Sequence, residues 1–113
     1  VRFKVTGHSM TPFFKHQKTF VTIEEKDKYV NGDIILFKYV EQYLLHRIIS
    51  VDKNTYTCQG DALKTYEVIK DKDIIGAVVS FGINKEKSVD HKWYTFKVKL
   101  WLSMKRNMMR WLK

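Results

Sequence analysis

The 113 residues are 44% hydrophobic and 14% aromatic, which excludes an intrinsically disordered chain, and they are enough for one hydrophobic core but not for two. The formal net charge is +9, yet six basic and no acidic residues fall within the last 17 positions, so this is a basic tail rather than the uniformly basic surface of a nucleic-acid-binding protein. The single cysteine, Cys58, excludes an internal disulfide.

The first segment predicts a strand followed by a turn. Polar and apolar residues alternate over residues 2–6, which is typical of a half-buried strand. Gly7 and Pro12 then bracket a turn that holds Ser9, because neither residue continues a strand readily. Residues 18–23 predict a second strand.

Three further strands are indicated in the middle of the chain. Turn signals stand at residues 31–33, Asn-Gly-Asp, and at residues 52–54, Asp-Lys-Asn. Around these turns lie three runs rich in β-branched and aromatic residues, at 34–40, 43–51 and 55–59. The first two runs are separated by two residues and predict a β-hairpin.

The second half of the chain contains one more core strand by this reasoning. A polar segment follows Gly60, and residues 73–81 then predict a buried strand with a bend or bulge at Gly76. Residues 93–98 are a further candidate strand. Many short strands with frequent turns predict a mainly β fold, a curled antiparallel sheet or barrel.

The C-terminal segment, residues 99–113, predicts an amphipathic helix that follows a β-domain formed by residues 1–98. Its apolar face comprises Leu100, Trp101, Met104, Met108, Trp111 and Leu112, and its basic face Arg106, Arg110 and Lys113. Two interpretations stay open. The apolar face either packs on the sheet or binds an anionic membrane surface, for which tryptophan and basic residues are suited.

The sequence Gly-His-Ser-Met-Thr-Pro at residues 7–12 resembles the nucleophile motif of the type I signal peptidase family and of its relatives, the self-cleaving phage and SOS repressors. Four later segments follow the family's remaining motifs in order: residues 32–37, His46-Arg47, residues 60–62 and residues 75–78. The resemblance covers about residues 5–79. It points to the branch of the family in which the general base is histidine rather than lysine.

The resemblance implies a serine endopeptidase with Ser9 as nucleophile and His46 as general base. It also implies that Asp61 orients the imidazole and stabilises its charged form. An imidazole accepts a proton near neutral pH without extensive burial, whereas a lysine base must be desolvated. Gly7, Met10 and Pro12 would contact the substrate, and the backbone N–H of Ser9 would help to bind the oxyanion.

Some positions depart from the family pattern or have a second interpretation. Leu63 follows Gly-Asp-Ala where the family commonly has a polar residue. Asp61 is alternatively an ordinary turn aspartate. Arg47 is interpreted as structural, and Glu67 as a further polar support for the site.

The expected partner is a peptide or protein with an exposed leader or linker, and no nucleic acid, metal or cofactor is expected. The four histidines and Cys58 lack the spacing of a metal site. Two rival functions stay open: a catalytically idle β-domain that binds a peptide partner or a membrane surface, and a self-cleaving repressor-type domain. No signal peptide or apolar run of about 20 residues is visible, so the location stays open between membrane-associated and cytoplasmic.

Overall fold

The computed structural model describes residues 2–7, 9–11, 13–82, 87–88, 98, 101–102 and 105. These residues form eight β-strands and one turn of 3₁₀-helix between the sixth and seventh strands. In chain order the strands are β1 Arg2–Lys4, β2 Phe20–Glu24, β3 Ile34–Tyr39, β4 Gln42–Asp52, β5 Thr55–Gln59, β6 Glu67–Lys70, β7 Ile74–Gly82 and β8 Lys87–Ser88, and the 3₁₀ turn is Asp71–Asp73.

All strands belong to one antiparallel sheet in the order β1-β2-β7-β3-β4-β5-β6, with β8 paired to β7. The sheet curls without closing into a barrel. The prediction of a mainly β fold with a curled antiparallel sheet is therefore confirmed. Strands β1 and β6 lie at opposite ends of the strand order.

The predicted hairpin is formed by β3 and β4, whose last register pair is Tyr39 with Gln42. The two residues between them, Val40 and Glu41, have φ angles of +47° and +63°. This is the left-handed conformation that a two-residue hairpin turn of type I′ requires. Asn and Gly usually occupy such turns, and a β-branched valine there is strained, so the strand pairing holds the turn.

Strand β7 carries the irregularity expected near Gly76. Its register with β3 skips Ile75, and its register with β2 skips Val79. A β-carbon added to Gly76 would lie 2.6 Å from Cγ2 of Ile23 and 2.9 Å from the carbonyl oxygen of Glu24. Bulges increase the local twist of a strand. The absence of a side chain at Gly76 lets β2 approach β7 closely.

The apolar interior consists of two clusters. The first cluster comprises buried Val5, Met10, Phe14, Val21, Ile23, Ile34, Val78 and Val98. The second cluster comprises buried Tyr29, Ile35, Phe37, Ile48, Tyr56, Cys58, Ile69 and Ala77. The neighbouring residues Ile34 and Ile35 belong to different clusters because successive side chains of a strand point to opposite faces; β3 is therefore covered on both faces.

Two segments differ from the sequence prediction or lie partly outside the structure. Strand β6, Glu67–Lys70, lies in the polar segment after Gly60, where the sequence predicts no strand. In the candidate strand 93–98, residues 93–97 lie outside the described residues, and Val98 is helical and buried. Of the predicted C-terminal helix only residues 101–102 and Lys105 are described. Leu102, which the sequence analysis did not assign to the apolar face, packs against the first cluster; the two interpretations of the helix stay predictions.

Candidate active site

Ser9 lies in the turn that follows β1, as the sequence pattern predicts. Gly7 has a φ of +88° and is exposed, and its N–H donates a hydrogen bond to Nδ1 of His16 at 2.7 Å. The carbonyl oxygen of Met10 accepts hydrogen bonds from the N–H groups of Phe13 and Phe14 at 3.1 and 3.0 Å. These contacts fix the chain on both sides of Ser9.

Two of the three residues expected to contact substrate are described, and Pro12 lies outside the described residues. The side chain of Met10 is 2% exposed and belongs to the first cluster. Because the whole residue is buried, Met10 anchors the serine turn and offers a peptide almost no surface. Gly7 is exposed, and its contact with substrate stays a prediction.

The serine turn docks on the loop that follows β5. The N–H of Ala62 donates to the carbonyl oxygen of Ser9 at 2.8 Å. The N–H of Asp61 points at Sδ of Met10, 3.4 Å away. A β-carbon added to Gly60 would lie 2.7 Å from the carbonyl oxygen of Ser9 and 2.9 Å from its Cβ. Only glycine therefore allows this approach.

His46 has a buried carboxylate partner. Nδ1 of His46 lies 2.6 Å from Oε1 of Glu67, and the two side chains are 5% and 9% exposed. The ring of Phe37 meets the imidazole edge-on, with centroids 6.1 Å apart. A carboxylate on Nδ1 fixes the ring orientation and directs Nε2 away from it. Nε2 is the nitrogen that a general base would use here.

Strand register makes Gly60 the neighbour of His46. In the β4–β5 ladder Arg47 pairs with Gln59. One step further along each antiparallel strand brings His46 opposite Gly60. The glycine that contacts the serine turn is thus also the position beside the imidazole.

The direction of the side chains agrees with this placement. Cys58 pairs with Ile48. Cys58 is two residues before Gly60, and Ile48 is two residues after His46. Because side chains two apart share a face, a side chain at position 60 would point to the face that bears His46. The atoms nearest to such a side chain belong to Ser9 and Leu63, whereas Met10, the next residue of the serine turn, packs in the first cluster with Leu45, on the face of β4 opposite His46.

The structure describes both Ser9 and His46 and shows no hydrogen bond between their side chains. Hydrogen bonds between a nucleophile and its base are often long or misaligned without substrate and tighten when it binds. The role of His46 as general base toward Ser9 therefore stays a prediction.

Asp61 does not take the place beside His46 that the resemblance implies. It forms a two-point ion pair with Arg47, whose Nε and Nη2 donate to its two carboxylate oxygens at 2.9 and 2.8 Å. The side chains are 3% and 1% exposed. Arg47 also donates to the carbonyl oxygen of Gly32 at 3.1 Å. The carboxylate that contacts His46 is that of Glu67, and Asp61 instead holds its loop against β4.

Cys58 is unsuited to act as a nucleophile. It is fully buried in β5. Burial, with a smaller contribution from the charge of Glu67, raises the pKa of its thiol to about 12. The thiolate is the reactive form of cysteine, so this thiol is inert near neutral pH.

Glu67 is the residue whose role sequence reasoning understated. The signal for it was weak: in β6, Glu67 and Ile69 are buried and the residues after them are exposed, a two-residue period only four residues long. A glutamate at an inward position of such a strand needs a buried partner. In this fold the partner is the histidine two strands away.

No family model, curated protein or solved structure matches this chain. Among the described residues no group of three or more histidine, cysteine, aspartate or glutamate side chains could hold a metal ion. Within the same residues no helix is long and apolar enough to cross a membrane.

Proposed function

We propose that this protein is a serine endopeptidase in which Ser9 is the nucleophile, His46 the general base and Glu67 the group that orients the base. The observation that carries the proposal is the buried contact between Nδ1 of His46 and Oε1 of Glu67, beside the glycine that seats Ser9. A buried histidine–carboxylate pair and a half-buried serine in a turn, both beside Gly60, supply the groups that activate a hydroxyl.

The residues would act in a fixed sequence. Oγ of Ser9 attacks the scissile carbonyl carbon while Nε2 of His46 takes the hydroxyl proton. The imidazolium then returns this proton to the leaving amine, and water hydrolyses the acyl-enzyme by the same route. Glu67 keeps the proton of the imidazole on Nδ1 and stabilises the charged ring. The N–H of Ser9 is the expected donor to the oxyanion.

The substrate class follows from the resemblance and from the sheet. An extended peptide can add to a sheet by main-chain hydrogen bonds, and the similarity to signal peptidases implies small side chains one and three residues before the cut. We therefore propose a leader-like segment or an exposed linker as substrate. A folded domain would not supply the extended backbone.

The missing hydrogen bond between Ser9 and His46 favours one alternative, a peptide-binding domain that does not cleave. The buried pair of His46 and Glu67 would then only stabilise the sheet. Residues 99–113 could add binding to an anionic membrane surface, which stays a proposal. A self-cleaving repressor-type domain would use the same serine and histidine on a segment of its own chain.

Labelling with a fluorophosphonate separates catalysis from binding alone, because only an activated serine reacts at a useful rate. We expect stoichiometric labelling of Ser9, located by peptide mass spectrometry, and cleavage of a leader-type peptide. Ser9→Ala should abolish both and leave thermal unfolding unchanged. Ser50→Ala, which removes an exposed hydroxyl from β4, is the matched control. An unlabelled wild-type protein that still binds the peptide would establish the binding-domain alternative.

A further inference from the structure

The burial of the Lys105 side chain needs a physical explanation. Its exposure is 6%, and lysine is almost never so buried unless it is paired. Nζ donates to Oε1 of Gln59 and to the carbonyl oxygen of Gly60, both at 3.1 Å. Burial lowers the pKa of the amine, the charge of Asp61 opposes this, and that of Arg47 adds to it. Both acceptors of the amine are neutral carbonyl groups.

Two other segments of the chain hold the peptide groups of residues 60–62. Lys105 binds the carbonyl oxygen of Gly60, and Nε1 of Trp101 donates to the carbonyl oxygen of Asp61 at 3.1 Å. Ser9 lies close to Gly60 and accepts a hydrogen bond from the N–H of Ala62. The C-terminal segment and the serine turn therefore both contact residues 60–62.

We propose that Lys105 is a positioning residue for the nucleophile: by holding the Gly60 peptide, it fixes the surface against which Ser9 is seated. This role rests on the proposed function, because the position of Ser9 affects catalysis only if Ser9 reacts. Lys105 acts through Gly60 and has no contact with substrate in this scheme. A misplacement of about 1 Å at a reacting atom can cost a hundredfold in rate.

The charge of the donor explains why a lysine suits this place. Hydrogen bonds from an ammonium are shorter and stronger than those from a neutral donor. The Gly60 carbonyl belongs to the residue that contacts Ser9 most closely, so a bond to it restrains that contact. Removing the ammonium should let Gly60 move away from Ser9, and the hydrogen bond from Ala62 to Ser9 should weaken with it.

The test compares Lys105→Met with Tyr56→Phe. Methionine keeps the length of the side chain and removes the donor. Tyr56→Phe removes a hydrogen bond to Asp71 at the opposite end of β5 and so controls for general loss of stability. The first readout is fluorophosphonate labelling as a function of probe concentration, which separates the maximal rate kinact from the binding constant KI. The second is hydrogen exchange of the Ala62 amide.

We expect Lys105→Met to lower kinact about ten- to a hundredfold with KI unchanged, and to speed exchange at Ala62 about tenfold. Tyr56→Phe should lower the melting temperature and leave kinact and the Ala62 exchange as in wild type. If Lys105→Met does not fold, Lys105→Gln, which keeps a polar tip on a shorter stem, should show the same two changes. Unchanged Ala62 exchange and unchanged kinact in a folded variant would overturn the positioning role.

The two proposals fail in different ways. A wild-type protein that is not labelled at all refutes Ser9 as nucleophile, and with it the catalytic meaning of Lys105. Normal wild-type labelling that survives in Lys105→Met refutes the positioning role alone. Equal losses of kinact in Lys105→Met and Tyr56→Phe would also refute it, because the effect would then follow from stability.

Discussion

Glu67 on β6 reaches across β5 to His46 on β4, where Oε1 lies 2.6 Å from Nδ1. The contact depends on the register of three strands, because Cys58 on β5 pairs with both Glu67 and Ile48. A slip of one residue in β6 would turn Glu67 to the opposite face. The site is thus specified by sheet register as well as by residue type.

Glu67→Gln tests whether this contact orients the base. Glutamine keeps the shape of the side chain but loses the charge that stabilises the imidazolium, so we expect peptide cleavage to slow by about 10²–10⁴-fold. Steady-state cleavage of a leader-type peptide measures the change in kcat. Glu24→Gln, at an exposed position of β2, is the matched control and should be neutral. Wild-type turnover in Glu67→Gln would remove Glu67 from the mechanism.

The ion pair of Arg47 and Asp61 should contribute to stability far more than an exposed pair does. Breaking a buried pair leaves a charge without a partner, so Arg47→Met and Asp61→Asn should each lower the free energy of unfolding by about 3–5 kcal/mol. The double variant should lose less than the sum, which reveals the coupling. Urea titrations measure all three variants.

An exposed pair in the same protein serves as the control for that experiment. Lys26 contacts Asp33 at 2.9 Å, with a lysine side chain that is 37% exposed, and Lys26→Met should cost less than about 1 kcal/mol. Asp61→Asn should also keep measurable cleavage once its stability loss is allowed for, because Glu67 still contacts His46. Complete inactivity of a folded Asp61→Asn would instead support the direct catalytic role that the resemblance implies.

Gly60→Ala should displace the nucleophile. The added methyl group would lie within 2.9 Å of two atoms of Ser9, so we expect fluorophosphonate labelling to slow about ten- to a hundredfold. Gly32→Ala is a control for backbone effects, because Gly32 has a φ of +98° and open space around its added carbon. It should lower stability but leave the labelling rate unchanged. Equal labelling of both variants would show that Gly60 does not seat Ser9.

Cys58 should make the fold sensitive to alkali. Its pKa is raised from the ordinary value of 9.0 to about 12 by burial and by Glu67, so above pH 9 the unfolded chain loses a proton that the folded chain keeps. The stability from the neutral thiol is complete below about pH 9 and is lost as pH rises toward 12. Cys58→Ala should therefore flatten the decline of unfolding free energy between pH 9 and about pH 10.5, by about 2 kcal/mol. An identical decline in both proteins would contradict this assignment.

Local patterns in the sequence predict much of the fold. The β3–β4 hairpin, the turn at residues 31–33 and the strand Thr55–Gln59 follow from apolar runs and turn residues, which act over a few positions. The bulged β7 follows from a glycine in an apolar run. Strand β6 escaped prediction because only two of its four residues face inward, too short a pattern to stand out among polar neighbours.

The candidate site could be predicted only in part. Ser9 and His46 are recognisable from motifs, and the structure brings both to the neighbourhood of Gly60. The choice between Asp61 and Glu67 as the partner of His46 could not be made from sequence. The choice depends on which of the two carboxylates the fold places next to His46 and which it places next to Arg47. That placement follows from strand register over many residues.

The docking of the serine turn on the Gly60 loop also has a consequence for the timing of activity. Met10 and Asp61 are 51 positions apart in the chain, and Lys105 lies another 45 beyond Gly60. Contacts of such sequence separation form late, since the intervening chain must be ordered first. In a ribosome-bound chain that lacks the C-terminal segment, the Gly60 loop that contacts Ser9 would lack its hydrogen bonds from Trp101 and Lys105. If Ser9 is the nucleophile proposed above, its surroundings would be complete only after residues 101–105 have been synthesised and have bound the Gly60 loop.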